Sequence, residues 1–257
     1  MEMPSDYRAV EELTREAFWN YWEPDINLCQ EHYLVHLLRD CPALVPELNC
    51  VATLAGNIVG HIIYTKSYVL NQAGERIEML TFGPLSVLPS MQGKGIGRRL
   101  VAYTLDKAKT LGYRAVLILG HPNYYPRLGF RPAKQFGIST ANGQNFEAFM
   151  AYPLYPGALD GVNGSYHIDA IYEQLKEEDV LEFDRTFPLR EAHCPKSITI
   201  LLEFLSEETT AALAGKGIAS LEMMTTLSEN EVRQLPGVDE NAIITIRRVL
   251  KDYTIKW

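Results

Sequence analysis

The stretch Leu85–Arg98 (Leu-Ser-Val-Leu-Pro-Ser-Met-Gln-Gly-Lys-Gly-Ile-Gly-Arg) most restricts what this chain can fold into. An apolar strand carrying Met79, Leu80, Phe82, Leu85 and Val87 runs into Pro89, which cannot continue a ladder. A glycine-rich turn follows and opens at once into an amphipathic helix, with Leu100, Val101, Thr104, Leu105 and Ala108 on one side. Strand, glycine turn and helix start together form an anion-binding device. Gly93, Gly95 and Gly97 lack a Cβ, so a ligand can approach the backbone closely. The N–H groups of the helix's first turn have no intrahelical partner, and the macrodipole favours negative charge there. Arg98 and Arg99 add positive charge beside them.

Spacing narrows the ligand. A Walker loop needs Ser or Thr after Gly-Lys, and Lys94 is followed by glycine. A dinucleotide fingerprint needs Gly-x-Gly-x-x-Gly, and the order here is Gly-x-Gly-x-Gly. What fits is Gln/Arg-x-x-Gly-x-Gly, supplied by Gln92, Gly95 and Gly97 after a strand ending Val-x-Pro. This resembles the acetyl-coenzyme A loop of the GNAT superfamily of N-acetyltransferases. A second hallmark of that family, Tyr-x-x-x-Gly-Phe, is similar to Tyr125, Gly129 and Phe130. The resemblance covers roughly the first two-thirds of the chain.

The rest of the sequence is consistent with that frame. Ser5 is placed to cap a first helix bearing Val10, Leu13, Ala17, Phe18 and Tyr21, and a second helix is expected over 31–39. Only Met1–Pro4 precede the first helix, so the strand that opens most GNAT chains is expected to be vestigial or missing. His32 and His36 lie one turn apart with Cys29 upstream; a zinc site would need a fourth ligand, and none stands at a recognisable spacing. A histidine pair lining the acceptor cleft, or simply solvated, is the expectation, with no metal. From Cys50 the pattern turns to strands: 51–54, a turn at Ala55-Gly56-Asn57, 58–67, a turn at 71–75, then 77–87. Gly83-Pro84 cannot sit in a regular ladder and predicts a bulge. Further strands are expected at 115–119, 136–139 and 146–152, with Pro156-Gly157-Ala158-Leu159 closing the domain near 173. The implied fold class is α+β: a central, mostly antiparallel, splayed sheet flanked by helices, followed by a small all-α domain.

The domain boundaries are placed at 1–173 for the acetyltransferase-like domain, 174–196 for a charged connector and 197–257 for the helical domain. Ser206 and Ser228 are candidate N-caps, and Leu235-Pro236-Gly237-Val238 between two helices looks like a helix-hairpin-helix. The run from Leu205 to Leu250 resembles the C-terminal domain of the RNA polymerase α subunit. In that resemblance Glu208 falls where the polymerase domain has a DNA-gripping arginine, and Asp239 and Glu240 follow the hairpin glycine. Acids outnumber Lys/Arg nine to six from Ser197 to Trp257, so DNA binding is not expected and a protein partner is. The whole chain carries a net charge of −8, which argues against a general nucleic-acid or anionic-membrane binder. Cys29, Cys41, Cys50 and Cys194 form no Cys-x-x-Cys pair, and no signal peptide or long apolar run is present. The expectation is a reduced, cytoplasmic protein that does not enter a membrane.

The GNAT resemblance implies direct attack of an amine on the thioester of acetyl-CoA. It assigns cofactor contacts to Leu85, Ser86, Val87, Gln92, Gly93, Lys94, Gly95, Ile96, Gly97, Arg98 and Asn123. It makes the Val87 backbone the oxyanion donor and Tyr125 the general acid that protonates the leaving thiolate, with Tyr124 next in line. Many members use a carboxylate on the strand before the loop; here that strand has none in its interior, and Glu78 stands at its start. His121 is a candidate base, a solvated structural histidine and a water relay being the other readings. The acceptor is expected to be an amine of a small molecule or a protein. The rival of another class is a fold that binds acetyl-CoA or docks a partner without turnover, linked to transcription through the helical domain.

Overall fold

Apolar–polar alternation from Cys50 onward produces the strands that carry the larger part of the molecule. The computed structural model describes residues 1–19, 29–188, 198–252, 255 and 257, in two units, Met1–Glu191 and Ala192–Trp257. The first contains helices α1 (Tyr7–Phe18), α2 (Glu31–Leu38), α3 (Ile96–Thr110) and α4 (Glu177–Asp184). Its strands are β1 (Cys50–Leu54), β2 (Asn57–Asn71), β3 (Arg76–Val87), β4 (Ala115–Leu119), β5 (Arg131–Pro132), β6 (Ile138–Thr140), β7 (Phe149–Pro153) and β8 (Gly164–His167). They form one sheet in the order β5-β7-β4-β3-β2-β8-β6, with β1 also on β2. This is the expected α+β class, with the expected mixture of a mostly antiparallel sheet and flanking helices.

Two features of the sheet position the site. β2 and β3 pair antiparallel almost throughout, but Ile62 faces Leu85 while Tyr64 faces Phe82, so Gly83 and Pro84 oppose the single residue Ile63. The bulge falls where the glycine–proline pair predicts it, and the Gly83–Pro84 peptide is cis. β3 then meets β4, in parallel, only at Leu80 and Val116. Beyond that point β4 is held by β7 alone, and the two central strands part.

The sheet has an apolar layer on each face. Ile62, Tyr64, Leu80 and Phe82 pack with Leu100, Val101 and Leu105 of α3. On the other face Ile63 packs with Val10 of α1 and Val35 and Leu38 of α2. The Tyr64 hydroxyl is fully buried and satisfied by Thr104 Oγ1 at 2.8 Å.

The chain departs from the sequence expectations in several places. Ser5 does not cap α1; the position before the helix is Asp6, whose carboxylate turns back to the Met3 N–H at 2.9 Å. The N-terminus is tied down without a strand, by the Glu2 N–H donating to the Asn49 carbonyl at 2.9 Å and by the buried Glu2 carboxylate on Arg39 at 2.8 Å. The span 136–139 is split between a 3-10 turn, Ala133–Phe136, and β6. β5 and β8 are too short for periodicity to reveal. The first half of the 174–196 connector is α4, whose Val180 is buried and whose Asp184 binds Arg15 of α1. Tyr21, Cys194, Ser197 and Lys256 lie outside the described residues.

The second unit holds α5 (Thr199–Leu202), α6 (Glu207–Gly215), α7 (Glu229–Arg233) and α8 (Glu240–Asp252). Leu201, Leu213, Ile218, Leu221, Met224, Val232, Ile243, Ile246 and Leu250 make its core. Both serines cap as expected: Ser206 Oγ accepts from the Thr209 N–H, and Ser228 with Glu231 forms a capping box.

Candidate active site

Parting of β3 and β4 opens a cleft of about 1140 Å³ whose wall includes Phe82–Leu85, Val87, the glycine loop, Leu119–His121, Tyr124 and Tyr125. The edge of β3 that faces it carries free backbone groups. The Leu88 N–H bonds the Val59 carbonyl at 3.0 Å, and Gly60 sits opposite Val87. In an antiparallel ladder that alternation turns the N–H and C=O groups of Val87 and Leu85 away from β2 and toward the parted strands. The Val87 carbonyl accepts from Gln92 Nε2 at 3.1 Å, so Gln92 folds the loop back over the strand end.

The loop itself has the conformation that its glycines permit. Gly95 is the residue before α3, with φ +80°, in the left-handed region that favours glycine. It brings no side-chain cap, which leaves the first-turn N–H groups of Ile96, Gly97 and Arg98 facing the cleft region. At Gly97 space is the limit. A Cβ there would stand 2.9 Å from the Tyr124 hydroxyl and 3.5 Å from Val87 Cγ2. Lys94 Nζ bonds the Ser90 carbonyl at 3.1 Å, and Arg98 and Arg127 add charge to the same wall.

Most of the sequence-assigned contacts therefore converge: Leu85, Val87 and every residue from Gln92 to Arg98 line the cleft. Two do not. The Ser86 side chain is fully buried on the opposite face of β3, 2.9 Å from Thr14 Oγ1, because consecutive strand residues point to opposite faces. Asn123 is exposed and is not part of the wall; its N–H donates to His121 Nδ1 at 3.2 Å. Tyr124 and Tyr125 both line the cleft, with ring centroids 5.0 Å apart. The Tyr125 ring packs against Phe82 and Phe130, and a Cβ on Gly120 would fall 2.3 Å from its Cε2, so that glycine makes room for it. The Tyr124 hydroxyl reaches the start of α3, where burial raises its pKa against the opposing charge of Arg98. His121 is exposed at the cleft rim. Glu78 is outside the cleft, 3.3 Å from Lys66 on the sheet surface.

Sequence reasoning did not identify Glu31, Leu34, Tyr166, Ile168 or Tyr172 as part of the far wall. Ala17, Phe18, Glu31, Leu34, Tyr166, Ile168 and Tyr172 also line the cleft. The Tyr172 hydroxyl bonds Thr65 Oγ1 at 3.0 Å, and burial raises its pKa. The histidines expected there diverge. His32 is buried between Phe183 and Phe187, 3.2 Å from Asp184 Oδ1, and burial lowers its pKa to about 4 despite that carboxylate. His36 is on the surface, with Nδ1 3.0 Å from Glu11 Oε1. Among the described residues no cluster of three or more His, Cys, Asp or Glu is arranged to hold a metal ion.

Comparison with known proteins follows this geometry. The profile of the Acetyltransferase (GNAT) family matches residues 11–130. The Escherichia coli K12 protein YhbS, described as an uncharacterized N-acetyltransferase, is 32% identical over 170 residues, which is 65% of this chain and 94% of YhbS. Another such protein of that strain, YjhQ, is 34% identical over 128 residues, and the chain spans 66% of its length. The crystal structure of E. coli YhbS in complex with CoA superposes with a TM-score of 0.59 at 31% identity, covering 68% of this chain and 91% of that one. A GNAT family acetyltransferase from Brucella melitensis in complex with acetyl-CoA gives 0.53 at 27% identity, covering 67% and 95%.

Proposed function

This chain belongs to the GNAT acetyltransferase family, and from that premise we propose that it transfers the acetyl group of acetyl-CoA to a primary amine. The observation that carries the reading is the free β3 edge running straight into an uncapped, glycine-built helix start. The diphosphate of the cofactor is held by the N–H groups of Gly93–Arg98, where the helix dipole and Arg98 favour an anion. Its amide-bearing arm adds to the edge of Leu85 and Val87 as a further strand would. The nitrogen lone pair attacks the thioester carbonyl, a C–N bond forms, and the oxyanion is met by the Val87 N–H. Collapse breaks the C–S bond. Of the two protons the ammonium loses, one ends on the coenzyme A sulfur through Tyr125 and the other leaves to solvent. His121, at the rim, is the candidate relay for the second.

The test is direct. Acetyl-CoA should raise the melting temperature, and an amine panel should release free thiol in proportion to acetylated product. Stabilisation with no thiol release from any amine would identify a binding module instead.

For the helical unit we propose a protein-docking role without duplex DNA. Its hairpin glycine, Gly237, packs against the start of α6, where a Cβ would meet Glu208 Cβ at 2.8 Å. Glu208 stands against the hairpin turn, Asp239 and Glu240 follow it in the chain, and carboxylates repel phosphates. An anisotropy titration of the full chain with duplex DNA at low salt should show no saturable binding below about 10⁻⁶ M.

A further inference from the structure

Where β3 and β4 part, the ladder that joins them has to end. β4 keeps its bonds to β7: the Leu154 N–H donates to the Arg114 carbonyl and the Gly120 N–H to the Ala148 carbonyl, each at 2.9 Å. Alternation along β4 turns the Leu117 carbonyl the other way, toward β3, one residue past the Leu80–Val116 pair. There it accepts from the Tyr166 hydroxyl at 3.3 Å. Tyr166 belongs to β8, which β2 and β3 separate from β4, so its side chain reaches beneath both strands to the fork. Burial raises its pKa to about 12, with Thr81 of β3 and Ser67 of β2 opposing the shift, so the phenol keeps its proton and donates. The other branch of the fork is capped in the same way. In the bulge of β3 the Gly83 carbonyl accepts from the Tyr172 hydroxyl at 3.5 Å, and that hydroxyl stands 3.0 Å from Thr65 Oγ1 of β2. Burial raises the Tyr172 pKa as well. Both phenols line the cleft.

Resting on the acetyltransferase reading, we infer that Tyr166 and Tyr172 are positioning residues that keep β3 and β4 parted, and so preserve the strand-wide gap that the amide-bearing arm of acetyl-CoA enters. A carbonyl taken out of water needs a donor. Without the Tyr166 hydroxyl, the Leu117 carbonyl regains one by drawing β3 in and extending the parallel ladder past Leu80 and Val116. A closed fork excludes the arm, so the apparent affinity falls with the fraction of molecules that stay open. Neither phenol has to touch the cofactor for this, and neither carries a proton in the reaction. An ordinary buried hydrogen bond behaves differently, and Tyr64 supplies the comparison. Its hydroxyl is buried too, but its bond to Thr104 Oγ1, at 2.8 Å, joins β2 to α3 rather than to a carbonyl of the fork.

The experiment uses the full chain, with acetyl-CoA affinity measured by titration calorimetry and amide exchange of the unliganded protein followed by mass spectrometry. Tyr166→Phe and Tyr172→Phe, each checked for a cooperative melt, should weaken acetyl-CoA binding about fivefold or more, and the double variant more than either. Should one single variant fail to fold, the other carries the test. Exchange across residues 81–85 and 117–119 should slow in the variants, because a closed fork protects amides that the open one exposes. Tyr64→Phe loses a buried bond of the same kind and should lower the melting temperature without changing acetyl-CoA affinity. Wild-type affinity in the tyrosine variants of the fork, an equal loss in Tyr64→Phe, or faster exchange at the fork would each overturn the inference. Failure of the wild-type protein to bind acetyl-CoA would instead overturn the reading beneath it, which keeps the two failures apart.

Discussion

The α3 side and the α1–α2 side of the cleft are built by different means. The first is one contiguous stretch, Leu85–Arg98, working through its backbone: a free strand edge, a loop bent at Gly95 and an uncapped helix start. The second is assembled from α1, α2, β8 and the turn after it, and works through side chains. Backbone recognition demands particular residue types at fixed spacing. Side-chain recognition demands only that distant segments meet. The side that carries the glycine motif is thus written locally, and the opposite side is written in the tertiary structure.

The sharpest way to break that contrast is at the backbone-built side. Gly97→Glu places a Cβ within 2.9 Å of the Tyr124 hydroxyl and a carboxylate among the N–H groups meant for phosphate. Stabilisation by acetyl-CoA in thermal melts should vanish, while the unliganded protein still gives a cooperative transition. Retention of the full wild-type shift would mean that the loop does not hold the cofactor.

Between the two sides stand the tyrosines. Tyr125→Phe should keep acetyl-CoA stabilisation and lower kcat by about 10²-fold, the size expected for a general acid. Tyr124→Phe removes a hydroxyl near the helix start and should act on cofactor binding, by about 1 kcal/mol or roughly fivefold in KM. If the two effects are exchanged, the acid is Tyr124, and the packing of Tyr125 on Phe82 and Phe130 is its whole role.

What the sequence made legible follows the same division. The strand–loop–helix unit, the bulge at Gly83-Pro84 and the extent of β4 were all readable, because each rests on neighbours in the chain. Glu31 and Tyr172 were not. A glutamate opening a helix looks like any favourable first-turn acid, and only the meeting of α2 with β3 makes it part of a cleft. The Ser86 side chain lies away from the cleft for a related reason: the motif supplies position along the chain, while strand alternation decides the face. α4 was hidden in a run of charge, since only Val180 of its residues is fully buried.

α4 also sharpens the contrast, because it braces the side-chain-built wall. Arg15 of α1 donates to both Asp184 oxygens, at 2.6 and 2.9 Å, and to the Pro188 carbonyl at 3.1 Å. Asp184→Asn leaves a buried guanidinium without its counter-charge. A cost of about 2 kcal/mol is expected, less than for a fully buried pair because Asp184 is 18% exposed. Urea unfolding measures it. On the reading that the amine binds against α1 and α2, the same variant should raise the KM for the amine and leave the affinity for acetyl-CoA unchanged.

Acid should act on the buried histidines behind the sheet. His32 of α2 is buried against α4, with its pKa lowered to about 4, and fully buried His61 of β2 is lowered to about 3, in both cases chiefly by burial. Arg39 adds to the shift at His61, where Nε2 is 2.7 Å from Asn49 Oδ1. In the unfolded chain both rings titrate near 6.5. Below that value the unfolded state binds protons that the folded state refuses, so stability is complete above about pH 6.5 and declines as pH falls toward 4. At pH 5.5 each histidine should cost about 1.4 kcal/mol. Chemical denaturation between pH 7.5 and 5.5 checks this. His32→Gln should flatten the decline by about half, and a pH profile identical to wild type would show that His32 takes up its proton without leaving its place beside Asp184.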